Sequence, residues 1–234
     1  MAKKYILTFD IDWAPDFAIL HCLDILEKAN ISATFFATHQ TPINTEITRK
    51  GHILGIHPNF LPNTSQGSDT QSIIRECLSY APDAWCMRTH SLVQSSPLLH
   101  EIFLNFPQLK LDVSLLMHRS QYAHKCNWEF EGVSFERLLY NWEDDAEFSR
   151  QKFGDSKELF FGELTVCDFH PIHVFLNSSD GNEYKKLQDK MYGFPLQKMN
   201  METAISLQNN GVGVRDHLEM ILASKQICLR LDEI

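Results

Sequence analysis

Four pairs of chemically capable side chains recur in the sequence at a spacing of two: Asp10 with Asp12, His57 with Asn59, Arg88 with His90, and Asp168 with His170. That spacing puts both members of a pair on one face of a β-strand, and each pair falls at or just beyond the C-terminal end of an apolar run. Carboxylates and imidazoles gathered there can ligate a divalent metal and move protons, and a guanidinium among them keeps a carboxylate ionised. Each pair also has a plain structural reading. Asp12, before Trp13-Ala14-Pro15-Asp16, fits the turn into a helix; His57, before Pro58, fits a loop; Arg88 fits an ion pair at the edge of a core. Coincidence at successive strand ends favours one shared site. His39, after Ala33-Thr34-Phe35-Phe36-Ala37-Thr38, lies on the same expected rim and is a candidate substrate contact, while His52 beside Gly51 fits a support for a strand start.

The elements that must position these residues are read from hydrophobic period. Strands are expected at Tyr5–Asp12, Ala33–Thr38, Ile53–His57, Ala84–His90 and Leu111–Leu116, with helices at Asp16–Ala29, Ile43–Lys50, Thr70–Tyr80 and Pro97–Asn105 between them. Further strands are expected at Ser134–Asn141 and Leu164–His170, and a closing helix at Glu219–Lys225. Met117–Gly132 reads as an excursion outside this alternation, and Asn177–Gly193 as a polar loop with a short helix at the rim. Strands alternating with helices imply an α/β fold with a parallel sheet, either a barrel or a doubly wound sheet. In such folds ligands bind at the C-terminal ends of the strands, where the four pairs fall.

Composition narrows the classes. A chain of 234 residues, 44% hydrophobic and without a composition break, predicts one domain spanning residues 1–234. A net charge of -9 with only 21 scattered Lys and Arg excludes a protein that grips nucleic acid through its phosphates. The six cysteines form no C-x-x-C pair and read as reduced core thiols. Met1-Ala2-Lys3-Lys4 runs directly into the first strand, leaving no room for a signal peptide, and no apolar run approaches the roughly 20 residues of a membrane span. The expectation is a cytoplasmic protein without a membrane span.

The ordered set of motifs resembles the polysaccharide deacetylases with a NodB-like homology domain, carbohydrate esterase family four. Thr8-Phe9-Asp10-Ile11-Asp12 resembles the first motif of that family, and Ala33-Thr34-Phe35-Phe36 its second strand. Gly51-His52-Ile53-Leu54-Gly55-Ile56-His57 resembles the metal-histidine motif, Arg88-Thr89-His90 the arginine motif, and Asp168-Phe169-His170-Pro171 the final catalytic histidine. Trp142-Glu143-Asp144-Asp145 corresponds to the Trp/Asp motif that flanks that histidine. The likeness covers approximately Tyr5 to Asn177 and is strongest to the WbmS-like deacetylases associated with O-antigen biosynthesis. It implies an irregular (β/α) barrel, here of seven strand–helix units. Three departures stand out. Ile11 separates aspartates that are usually adjacent, Leu61 stands where a second metal histidine is expected, and His90 replaces the usual proline.

On this resemblance Asp12, His57 and His90 are the expected metal ligands, His90 standing in for the missing histidine, and Asp10, Arg88, Asp168 and His170 the catalytic residues. One carboxylate and two imidazoles suit Zn2+. Asp10 would act as base and His170 as acid, with Arg88 orienting Asp10 and a carboxylate, Asp168, Asp144 or Asp145, orienting His170. His39, Asn59, Trp13 and Trp142 are the candidate substrate contacts. The implied activity is metal-dependent removal of N-acetyl, or O-acetyl, groups from an acetylated amino sugar or saccharide in cell-surface polysaccharide metabolism. The alternatives are an amidohydrolase acting on a small non-sugar amide and an inactive carbohydrate-binding protein.

Overall fold

The computed structural model describes residues 2–191 and 193–234, the side chain of Tyr184 excepted. Strands and helices alternate through the first half: β1 (Lys4–Asp10), α1 (Asp16–Ala29), β2 (Thr34–Ala37), α2 (Ile43–Arg49), β3 (Ile53–Ile56), α3 (Thr70–Tyr80), β4 (Cys86–Met87), α4 (Ser96–Asn105) and β5 (Leu111–Leu116). The second half is less regular. It runs β6 (Lys125–Phe130), β7 (Val133–Tyr140), β8 (Trp142–Glu143), α5 (Asp144–Glu147), β9 (Leu164–Phe169), α6 (Pro171–Leu176), α7 (Gly181–Met191), α8 (Met201–Ile205), α9 (Val214–Leu222) and β10 (Ile227–Cys228). No helix among the described residues is long and apolar enough to cross a membrane.

The strands form one mostly parallel sheet in the order β6-β7-β5-β4-β3-β2-β1-β9-β8, with β10 also paired to β1. Among the described residues, only the β6–β7 hairpin is antiparallel. The expected irregular α/β architecture with a mostly parallel sheet is present; the sheet is not closed, and strict strand–helix alternation gives way to a less regular order after β5. The two flanks are nevertheless one stretch of chain, because only Asn141 separates β7 from β8. Its N–H donates to Val166 O (3.1 Å), its Oδ1 accepts from Val166 N (2.8 Å), and its Nδ2 donates to Leu164 O (3.2 Å). A side-chain amide thus substitutes for ladder bonds across the gap. Met117–Gly132, expected as an excursion outside the strand–helix alternation, supplies β6 as an antiparallel edge strand; it shows no alternation in sequence because neither of its faces is fully buried. Asn177–Gly193 contains α7, an 11-residue helix rather than a short one.

Period-two alternation separates two apolar clusters. Along β1, Tyr5, Leu7 and Phe9 enter the large cluster under the helices, whereas Ile6 enters a smaller cluster with Phe36, Cys86, Leu138 and Val166. Thr8 and Asp10 share the face of Ile6, and Arg88 and Asp168 follow Cys86 and Val166 by two. A buried polar layer therefore lies toward the C-terminal ends, above an apolar floor. Gly55 is required in that floor, since a Cβ there would meet the Phe36 ring at 2.7 Å and Cys86 O at 2.8 Å. On the helical side, α1 buries Ala18, Ile19, Cys22, Leu23 and Leu26 as one stripe and ends on Asn30 in the left-handed conformation.

His52 and His217 are among the described histidines that are buried neutral in this frame. His52 Nδ1 accepts the Ala33 N–H (3.1 Å), a role only an unprotonated nitrogen can fill, and His217 stacks on Trp142 with ring centroids 4.6 Å apart. Burial pushes both down to about 4 from 6.5. Between those values the unfolded chain takes up protons that the folded chain refuses, so this stability is present above the unfolded value and is lost as pH falls. Thermal unfolding midpoints should drop steadily from about pH 6.5 toward pH 4. His217→Phe, which keeps the stack and removes the titrating group, should flatten that slope; an unchanged slope would exclude His217 as a contributor.

Candidate functional site

Because the strands run parallel, the ends of β1, β3, β4 and β9 deliver their polar residues to one rim. The lower tier is ionic and buried. Arg88, with no exposed surface, lies between the rings of Phe36 and Tyr140, 4.7 and 4.2 Å from their centroids, and its Nε donates to Val113 O. Its Nη1 donates to Asp10 Oδ1 (2.9 Å) and also to Asp168 Oδ1. Asp168 accepts a further bond from Thr8 Oγ1 (3.0 Å). Burial alone would favour a neutral guanidine, but Asp10 and Asp168 hold Arg88 in its charged form.

The upper tier sits on two tight turns. Asp12 and Trp13 follow β1 with φ of 44° and 53°, and Ser91 and Leu92 follow His90 with φ of 52° and 54°. Consecutive left-handed non-glycine residues are strained and cluster at functional sites. These turns bring Asp12 Oδ1, His57 Nε2 and His90 Nδ1 together, at 3.1 Å for Asp12–His57, 3.1 Å for Asp12–His90 and 3.3 Å for His57–His90. Donors around a tetrahedral ion with bonds of about 2.0–2.1 Å lie roughly 3.3–3.4 Å apart, so the three atoms fit a shared divalent metal. His57 Nδ1, which has no hydrogen-bond partner, faces Asp10 Oδ2 at 3.7 Å, the placement of a carboxylate that orients a ligating imidazole. Burial works against ionisation of Asp12, but hydrogen bonds from His57 and His90 hold its carboxyl well below the usual range.

His170 adjoins both tiers. Its Nδ1 pairs with Asp144 Oδ1 (2.7 Å), its backbone N–H donates to Asp144 Oδ2 (2.7 Å), and its Nε2 faces Asp12 Oδ2 at 3.6 Å. Burial pulls the imidazole toward neutrality, but Asp144, then Asp12 and Asp145, outweigh it and raise its pKa well above the ordinary histidine value. Burial raises Glu143, close by, to about 8, with Asp145 adding to the rise.

The sequence pairs separate in an instructive way. Asp10, Asp12, His57, Arg88, His90 and His170 converge, although His90 belongs to a turn of 3-10 helix beyond β4 rather than to a strand. Asp168 does not orient His170, as the sequence allowed; it is fully buried beneath Arg88, and Asp144 takes that role because α5 begins beside the end of β9. Asn59 is not among the clustered donors, and its Oδ1 accepts from Leu61 N within its own loop. Trp142 has no exposed surface and packs on Phe169 and His217, so it is a core residue and not a substrate contact. His39 lines an adjacent cleft with Phe17, Thr41 and Lys198, and Trp13 sets its ring edge-on to His90 at 5.2 Å. Sequence reasoning missed Thr38 and Gln66, whose roles are purely hydrogen-bonding and leave no periodic signature.

The family model of the WbmS-like polysaccharide deacetylases matches residues 7–188. A structure from Bordetella bronchiseptica, named as a polysaccharide deacetylase involved in O-antigen biosynthesis, is 32% identical with a TM-score of 0.79, the match covering 94% of this chain and 89% of that one. More distant structures share the fold. A peptidoglycan N-acetylglucosamine deacetylase is 15% identical with a TM-score of 0.53, over 98% of this chain and 86% of that one. A family 4 acetyl xylan esterase from Clostridium thermocellum, solved with a cobalt ion, is 17% identical with a TM-score of 0.50, over 99% and 89%. No curated protein matches the sequence. The family match over most of the chain, together with the 32% identity, shows that this protein belongs to the WbmS-like polysaccharide deacetylases.

Proposed function

We propose that the chain removes acetyl groups, N-linked in the first instance, from an amino sugar of a cell-surface polysaccharide, using a divalent metal held by Asp12, His57 and His90. The observation that carries this reading is the triangle of donor atoms 3.1 to 3.3 Å apart, flanked by Asp10–Arg88 on one side and His170–Asp144 on the other. The naming of the 32% identical relative supports an O-antigen sugar as the substrate class. The cytoplasm is our proposed compartment, supported by six unpaired cysteines.

Zinc, the ion that best suits two imidazoles and a carboxylate, would polarise the acyl carbonyl and activate water when bound. The protein supplies the proton transfers. Asp10, hydrogen-bonded by Arg88, accepts the proton of the attacking water in this reading. Nitrogen departs only if protonated, because an amide anion is a very poor leaving group, and His170 is the donor on that side. Asp144 holds the proton on Nδ1, so in the imidazolium Nε2 carries the proton to be delivered. An acid and a base in contrasting environments can thus serve one reaction.

Elemental analysis of protein purified without added metal or chelator should find about one divalent transition metal per chain in the wild type and little in His57→Ala or His90→Ala. Full stoichiometry in His90→Ala would remove His90 from the ligand set, and no metal in the wild type after reconstitution would end the metal reading. His170→Ala should keep the metal but lose about 10²–10⁴-fold in acetate release from acetylated sugars. Release of ammonia from small amides in preference to acetate from sugars would instead identify an amidohydrolase. Asp144→Asn removes the main cause that raises His170, so the alkaline limb of the kcat profile, where His170 loses its proton, should move to lower pH. A limb that does not move would exclude His170 as the acid.

A further inference from the structure

The loop after His57 carries exposed Leu61 where a ligand would be expected, and it buries Gln66. The Gln66 amide ties together the ends of two strands: Nε2 donates to Thr38 O (2.9 Å) and His57 O (3.2 Å), and Oε1 accepts from Asn59 N (2.6 Å). Tyr80 Oη also donates to Thr38 O, at 2.9 Å. With its carbonyl fixed by two donors, Thr38, itself 1% exposed, directs Oγ1 to accept the N–H of Trp13 (2.9 Å), and Oγ1 also pairs with His39 Nδ1 (3.0 Å).

That N–H belongs to the strained turn. Left-handed backbone costs a non-glycine residue about 1–2 kcal/mol, and a large aromatic residue such as Trp13 gains no local hydrogen bond in return. The turn persists only where its surroundings hold it. Two of the three donors depend on it, Asp12 through the chain and His90 through the Trp13 ring packed edge-on against it. The third, His57, is fixed by the same Gln66 that fixes Thr38.

We propose that Thr38 is a positioning residue for the metal: its hydroxyl, held in place by Gln66 and Tyr80, fixes the Asp12–Trp13 turn in the conformation that brings Asp12 and His90 to His57. This rests on the reading of those three residues as the metal site. The loop that lacks a histidine at position 61 then serves the site as a brace, through Gln66, rather than as a ligand donor.

The test is equilibrium titration of metal-free protein with Co2+, followed by its visible absorption, for the wild type, Thr38→Val and Thr38→Ser. Valine keeps the shape and removes the acceptor, so affinity should fall about 10–100-fold and the absorption bands should change. Serine should restore both. Thr38→Ala serves as a second variant lacking the hydroxyl, should a methyl in its place disturb folding, and should show the same loss. Wild-type affinity and spectrum in the valine and alanine variants would overturn the brace while leaving the metal site standing. A serine variant as weak as valine would also overturn it, by showing that packing rather than the hydroxyl matters. A wild type that binds no Co2+ would bring down the metal reading and the brace together.

Discussion

The rest of the site depends on one guanidinium removed from water. Arg88 has no exposed surface, yet its charge is met by Asp10 and Asp168, carried by two neighbouring strands on the far side of β2 and β3. Stripping either carboxylate or the arginine from such a cluster leaves an uncompensated buried charge, at a cost of about 3–5 kcal/mol. Replacing a whole buried ionic cluster with apolar groups is often neutral or stabilising, so fold stability alone does not account for these three residues. What the cluster does provide is a fixed carboxylate: Asp10 cannot rotate away without breaking its bond to Arg88, and its second oxygen is left facing His57.

From that layer the site is built upward in a second tier with different chemistry. The lower tier is a closed set of charges, whereas the upper tier presents three donor atoms to one another at separations suited to sharing an ion. Two side chains, each held by a charged partner, flank the triangle. Arg88 keeps Asp10 beside a positive charge, and Asp144 keeps His170 beside a negative one. In the proposed reaction Asp10 is the proton acceptor and His170 the proton donor, each held by its own partner beside the triangle.

In the proposed metal site, His90 takes the place of a histidine at position 61, so that little of the ligand set is fixed by position in the chain. A donor is needed at a point in space, and the turn after Arg88 reaches that point because Ser91 and Leu92 adopt left-handed conformations and His90 N–H is anchored on Pro58 O. The loop released from supplying a ligand folds over Gln66 instead.

Much of this was legible in the sequence. Helices α1 and α3 match their expected ranges because their apolar stripes and boundaries are local, and the strand ends are marked by pairs of polar residues that an apolar run would otherwise exclude. The convergence of Asp10, Asp12, His57, Arg88, His90 and His170 follows once the strands are parallel, since parallel strands end on one rim. Tertiary structure alone decided what depends on partners distant in the chain. Asp144 rather than Asp168 orients His170 because β8 pairs with β9 in a register that places α5 at its end. Trp142 is core because His217, from α9, stacks on it. The flanks of the open sheet are joined by the Asn141 side chain rather than by a strand ladder. Residue type and spacing encode local conformation and the side of an element a group faces; the third dimension assigns each polar group its partner, and so its charge and role.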